Sequence, residues 1–185
     1  MMLRTITPDE LLTISFRGEE LECLKFEKID FDRMDLSGSV FIECTFDQCN
    51  LSNVSLSRVS FRECLFESCK LTGCRFDDCQ PFLQPPVFNN CDLRLASFTS
   101  CKLTGIRFEQ CQLKEADFTG AVLQQAVFSG CDLSGAVFEQ TDLRKADLQS
   151  SFGFTIDPER NNVRNAIVSN ENLAGFLAKY GLKIR

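Results

Sequence analysis

The sequence predicts an all-β solenoid, a chain wound into stacked coils that turn a corner after every five residues. Leu or Phe recurs at every fifth position from Phe16 to Phe76, thirteen times without a miss. After a slip of two residues the pattern resumes at Leu83 and runs to Leu148, fourteen times more. A second column lies two residues before each centre and reads Cys91, Ala96, Cys101, Ile106, Cys111, Ala116 and onward in small or modest side chains. The other three positions of each pentad are largely charged, polar or glycine. A helix would spread residues five apart around its circumference, and a strand would put them on opposite faces. Only a coil whose every side contributes one large and one small side chain can bury both columns.

Both ends of such a coil expose open core and unpaired strand edges, so caps are expected. Residues 1–13 form the first, with Thr7-Pro8-Asp9-Glu10 fitting a capping box and a short helical turn. The repeat array occupies 14–150. Its slip falls at 78–87, where Pro81, Pro85 and Pro86 cannot donate to a ladder and a bulge or short loop must protrude. This bulge (Pro81, Phe82, Leu83, Gln84, Pro85, Pro86) reads either as a tolerated insertion or as a contact element with Phe82 and Leu83 as a stiff apolar tip. Beyond Ser151 the plan changes. In 151–185, Ser169 can cap a helix that carries Leu173, Phe176, Leu177 and Tyr180 on one face and ends at Gly181. That face has to be covered by the last coil, a second copy, or both.

Composition narrows the function classes. Twenty basic and twenty-six acidic residues give a net charge of -6, which argues against direct nucleic-acid binding and suits a basic partner. Histidine is absent, which removes the usual near-neutral acid/base and metal ligand; no enzyme and no cofactor are expected. No apolar run approaches membrane-spanning length and no secretion signal is evident at the amino end, so the reading is a soluble, cytoplasmic protein. Nine of the eleven cysteines occupy the small inward column interchangeably with Ala, Val and Ser, which favours reduced, packing thiols over ligation or disulfides. Cys79 would continue the first register of that column, and Cys23 alone falls outside it. Following the sides through the slip, Glu27, Asp47, Glu67 and Glu109 align in one acidic column. It reads either as a solvated face or as an imitation of the phosphate array of duplex DNA.

Cys131-Asp132-Leu133-Ser134-Gly135 and Ala146-Asp147-Leu148-Gln149-Ser150 resemble the Ala-Asp/Asn-Leu-x-x motif of the pentapeptide-repeat family. That resemblance implies a right-handed quadrilateral β-helix of about seven coils, four pentads to a coil, with rungs about 4.8 Å apart. The tail, Ile156-Asp157-Pro158 followed by Asn172 through Leu182, is similar to the carboxyl-terminal module of the topoisomerase-directed members of the family, the Qnr, MfpA, McbG and AlbG group. The likeness implies a homodimeric DNA mimic that binds DNA gyrase or topoisomerase IV and relieves poisoning by quinolones or natural toxins. By the same likeness the tail module would dimerise; the chain departs from the Qnr members in having a single two-residue slip where they carry two longer loops, and on this reading the acidic column and the bulge are the expected contacts. An interaction scaffold unrelated to topoisomerase is the alternative.

Overall fold

Turning a corner every five residues requires a backbone that bends the same way each time, and the residue two past each centre supplies the bend. In the computed structural model, which describes residues 3–10 and 14–183, Lys28, Arg33, Glu43, Gln48 and most of their non-glycine equivalents have φ between 52° and 60°. Side chains other than glycine disfavour this left-handed region, and Gly38, at φ 75°, fills it without strain. The ladder above and below holds the others there.

Short parallel strands stack between these corners. β1 (Arg4–Ile6), β3 (Leu24–Glu27), β5 (Thr45–Asp47), β7 (Leu65–Glu67), β8 (Val87–Asn89), β9 (Arg107–Glu109) and β10 (Val127–Ser129) form a seven-stranded sheet in that order. A second sheet joins β2 (Glu20–Glu22), β4 (Val40–Ile42) and β6 (Ser60–Arg62). Single-residue bridges build the remaining two sides, one through Asp30, Asn50, Lys70, Asp92, Gln112 and Asp132, the other through Arg75, Ser97, Asp117 and Val137. The result is the expected all-β parallel solenoid. Its seven stacked strands mark about six turns where about seven coils were expected, and single-residue bridges carry the stacking on beyond β10.

The interior divides by side chain as well as by side. Phe46, Phe66, Phe88, Phe108 and Phe128 stack along one side with centroids 4.7 to 5.3 Å apart. Phe76, Phe98, Phe118 and Phe138 stack along the opposite one at 4.7 to 5.2 Å. The two columns meet edge to face across the core, as Phe98 does Phe108 at 5.6 Å, the arrangement ring quadrupoles favour. Leucines fill the sides between, Leu103, Leu123 and Leu143 on one and Leu93, Leu113 and Leu133 on the other, all fully buried.

The small column does more than fill space. Cys49, Cys69, Cys91, Cys111 and Cys131 stand one above another, and each thiol donates to a carbonyl one turn back, Phe26, Phe46, Phe66, Phe88 and Phe108 respectively, at 3.2 to 3.4 Å. Ser39 makes the same bond to Phe16, Thr141 to Phe118 at 2.9 Å and Asn161 to Phe138 at 2.9 Å. A Cys, Ser or Thr in this column thus gains a bond that the Ala and Val alternatives lack, while still fitting the small space. All eleven cysteines are free, and Cys79 and Cys101 are half-buried along with Cys23. Burial pushes the Cys64 and Cys74 thiols up to about 12.

Three expectations are corrected. Phe82, not Leu83, enters the core at the slip: Phe82 is 9% exposed and Leu83 81%. Gln80 N–H still donates to Val59 and Val87 N–H to Cys64, so the two extra residues must be absorbed between them, and the ring at 82 fills the interior better than the leucine. At the amino end, β1 is the first rung of the larger sheet rather than part of a separate cap. Residues 8–10 form a turn, with Thr7 N–H donating to Glu10 Oε2 at 3.2 Å and Glu10 N–H to the Thr7 carbonyl at 3.1 Å, the contacts expected of the capping box. Residues 1–2 and 11–13 of the expected cap lie outside the described residues. At the carboxyl end α1 spans only Ala174–Leu177, followed by a 3-10 turn at Ala178–Tyr180 that Gly181 closes at φ 61°. Of the four residues expected on its buried face only Phe176 is covered, against Phe154 at 5.3 Å; Leu177 is half-buried, and Leu173 and Tyr180 are exposed. The helix is one turn long and seats on the edge where Gly175 meets Phe154. A Cβ at Gly175 would stand 2.5 Å from the Phe154 carbonyl.

Ser169 and Asn172 do form the reciprocal pair that opens the tail helix, Ser169 N–H to Asn172 Oδ1 at 2.9 Å and Asn172 N–H to Ser169 Oγ at 3.3 Å. Asn172 Nδ2 also reaches the carbonyls of Leu148, Gln149 and Ser151, closing the last coil. Parallel stacking runs past residue 150, with Asp142 bridged to Asn162 and Asp147 to Ile167. No helix among the described residues is long and apolar enough to cross a membrane.

Candidate partner-binding surfaces

The acidic column lies in register on the larger sheet, Glu27 beside Asp47, Asp47 beside Glu67, then Asn89, then Glu109. Strand pairing sets these neighbours at about 4.8 Å, close enough for unscreened carboxylates to repel. Each is answered locally. Lys25 Nζ lies 2.7 Å from Asp47 and 3.9 Å from Glu27, and its pKa is raised chiefly by the hydrogen bond to Asp47. Asn89 Nδ2 donates to Glu67 at 2.7 Å, and Arg107 pairs with Glu109 at 2.8 Å. The geometry therefore brings the four carboxylates onto one strip with two cations and an amide set among them.

The bulge stands on the adjoining side, above β6. Pro81, Leu83 and Gln84 are exposed, Pro85 is half-buried, and Phe82 and Pro86 are inside. Beside it runs an open groove of about 430 Å³ lined by Val40, Arg58, Arg62, Pro81 and Leu83 among others. The apolar tip is thus one leucine.

Towards the carboxyl end three further apolar side chains, Val137, Phe152 and Ile167, are exposed on three different sides of the coil, beside the tail residues already singled out. Val137, Phe152 and Ile167 are 46 to 54% exposed, and Leu173, Tyr180 and Leu182 are 46 to 58% exposed. For Val137, Phe152 and Ile167 the signal in the sequence is an apolar residue at an outward position that is polar in most other pentads. Nearby, Lys179 Nζ bridges Asp157 at 2.6 Å and Glu159 at 2.7 Å, while Tyr180 Oη donates to Glu159 at 3.0 Å. The Lys179 ammonium holds both carboxyls below their ordinary values. Among the described residues no group of three or more His, Cys, Asp or Glu is placed to hold a metal ion.

The signature of a pentapeptide repeat region matches residues 39–118 and again 69–148. The chain belongs to the pentapeptide-repeat family. Among solved structures, this pentapeptide-repeat rod is similar to a trypsin-treated form of QnrB1, a plasmid-mediated fluoroquinolone resistance protein, at 21% identity and a TM-score of 0.57, over 100% of this chain and 99% of that one. It is also similar to HetL from the cyanobacterium Nostoc, a pentapeptide-repeat protein involved in regulating heterocyst differentiation. There the identity is 17% and the TM-score 0.58, over 87% of this chain and 92% of that one. No curated protein matches the chain. At these identities the likenesses establish the fold of the pentapeptide-repeat rod and no more.

Proposed function

We propose that this rod acts by binding rather than catalysis, docking in the cytoplasm on DNA gyrase or topoisomerase IV and shielding the enzyme from a quinolone or a natural poison. The observation that carries the reading is the run Glu27, Asp47, Glu67, three carboxylates one rung apart on a straight, parallel sheet. A rigid row of anions at about 4.8 Å is the feature a surface built to hold DNA phosphates would accept, and charge complementarity would speed the encounter. The tail sequence and the full-length likeness to a fluoroquinolone resistance protein point the same way. The exposed apolar group at the carboxyl end, Leu173 and Tyr180 included, supports dimerisation there.

The test is a gyrase supercoiling titration with and without a fluoroquinolone, scoring supercoiled and cleaved plasmid together. Rescue of supercoiling with loss of drug-induced cleavage supports protection; inhibition without rescue supports a mimic whose natural poison is different. No effect over a wide concentration range would sink the reading. A second reading, a regulatory scaffold with an unrelated protein partner, is favoured by one observation: Lys25, Asn89 and Arg107 already answer the acidic column.

A further inference from the structure

The small inward column changes character at the bulge. Its eight buried cysteines each donate to a main-chain carbonyl. Cys79 and Cys101 are half-buried, and neither thiol has a hydrogen-bond partner among the described residues. The two are neighbours in the coil. Phe76 stacks on Phe98 at 4.7 Å and, three residues on, Cys79 N–H donates to the Phe76 carbonyl and Cys101 N–H to that of Phe98, both at 3.1 Å. They therefore hold the same place on successive rungs, which a regular sheet sets about 4.8 Å apart. On this wall the residue after the small one ties each rung to the one below, as Gln80 N–H does to Val59 and Val122 N–H to Cys101. Lys102 N–H makes no such bond to Cys79 among the described residues, so the ladder is open where the bulge departs. A cavity of about 210 Å³ lies in the gap, lined by Cys79, Cys101, Asp77, Phe82 and Lys102 among others.

We propose that Cys79 and Cys101 are a dithiol site for one copper(I) ion, held between the two sulfurs in two-coordinate geometry. Parallel side chains one rung apart set their sulfurs at about the rung spacing, 4.8 Å, more than twice a disulfide bond of about 2.05 Å. Two metal–thiolate bonds of about 2.3 Å laid end to end span about 4.6 Å, so a linear cation fits where a direct S–S bond needs both side chains to turn. Thiolate ligands select copper(I), and its low coordination number suits a pair that no third ligand joins among the described residues. Burial pushes the Cys101 thiol up to about 12 and holds Cys79 well above its ordinary value, so both enter the reaction protonated. Two S–H bonds break and two S–Cu bonds form, the protons go to solvent, and the copper keeps its oxidation state. The product carries one negative charge, which the Lys102 ammonium lining the same cavity offsets. Asp77 lines it too, one carboxylate oxygen taken by Arg75 at 2.9 Å and the other buried without a partner, so the cavity also offers an acceptor to an entering cation. The eight carbonyl-bonded thiols, closed off by an intact ladder, take no part.

The full chain, reduced and kept free of oxygen, is titrated with copper(I) against the chelator bicinchoninate, with circular dichroism to check folding and X-ray absorption at copper to read the coordination. One ion should bind per chain, with two sulfurs at the metal. Cys79→Ser and Cys101→Ser should each weaken binding more than about a hundredfold, a larger loss than an outer partner gives, and Lys102→Met about tenfold. Cys23→Ser should leave it unchanged. Serine and alanine both occupy this column, at Ser39 and Ala121, so the alanine forms of the two variants serve where a serine form does not fold. None of these readouts depends on which protein the rod docks on. A folded chain that takes up no copper(I), a Cys79 or Cys101 variant that binds like the parent, or loss of the ion on Cys23→Ser would overturn the inference.

Discussion

Replacing Phe108 by alanine should test the continuity of the core directly. Its ring is fully buried, stacked on Phe88 at 5.3 Å and Phe128 at 5.2 Å, and edged by Phe98 at 5.6 Å and Phe118 at 6.2 Å. A buried Phe→Ala change costs about 3–5 kcal/mol. Four aromatic partners, each pair being worth about 0.5–1.5 kcal/mol beyond area, place this site at the upper end. For a chain of this size about 2–4 °C of Tm follows each kcal/mol, so the midpoint should fall by roughly 10–15 °C. Phe108→Leu is the internal control. Leucine already centres the neighbouring sides at Leu103 and Leu113, so that variant should fill most of the space and lose only the stacking, costing about 1–2 kcal/mol. Thermal and urea melts followed by circular dichroism measure both. An alanine variant that melts within about 3 °C of the parent would refute the stacked column as the source of rigidity.

Other outcomes follow from single features. Leu95 is 57% exposed at φ 60°, so Leu95→Gly should relieve a strain of about 1 kcal/mol and raise the melting midpoint; a lowered midpoint would mean the side chain packs. Asn172→Ala should free the tail from the last coil by removing its three carbonyl contacts, seen as faster amide exchange around Phe176 with the array unchanged. Asp157 and Glu159 have pKa values depressed by Lys179, so their contribution is complete above the ordinary carboxylate values of about 4. It is lost as pH falls through the lowered ones, and the tail should loosen in acid before the rod does, as Tyr180 fluorescence would report. A thiol titration of the folded chain should detect no more than Cys23, Cys79 and Cys101, with the remaining eight reacting only in denaturant.

The fold was legible because its determinant is periodic and local: one large and one small side chain per pentad states where the chain turns, and the centres from Phe16 to Phe76 all lie inward apart from a partly covered Leu21. Registration of Glu27 with Asp47 and Glu67 also follows from counting, since one turn is twenty residues. Counting fails where the period breaks. At the bulge the choice between Phe82 and Leu83 depends on which side chain the interior can accept, a three-dimensional matter. What answers the column is not legible in the same way: the 2.7 Å contact of Lys25 with Asp47 depends on side-chain rotamers rather than on spacing. The tail lacks the repeat altogether, and the seat of Gly175 on Phe154 is a close approach that no spacing announces.

The twenty-residue turn makes the rod a gauge graduated in whole turns. Removing residues 98–117 would shorten it by one graduation, about 4.8 Å, and leave every column above the cut in phase with those below. Removing only five would rotate everything downstream by a quarter turn, carrying Glu109 away from the strip that holds Glu67. The two residues at the bulge show the third case, an addition spilled outward so that Phe66 and Phe88 still stack at 5.0 Å. Length, facing and ornament can thus vary independently in this architecture, each governed by whether a change in the chain is a multiple of twenty, a multiple of five, or neither.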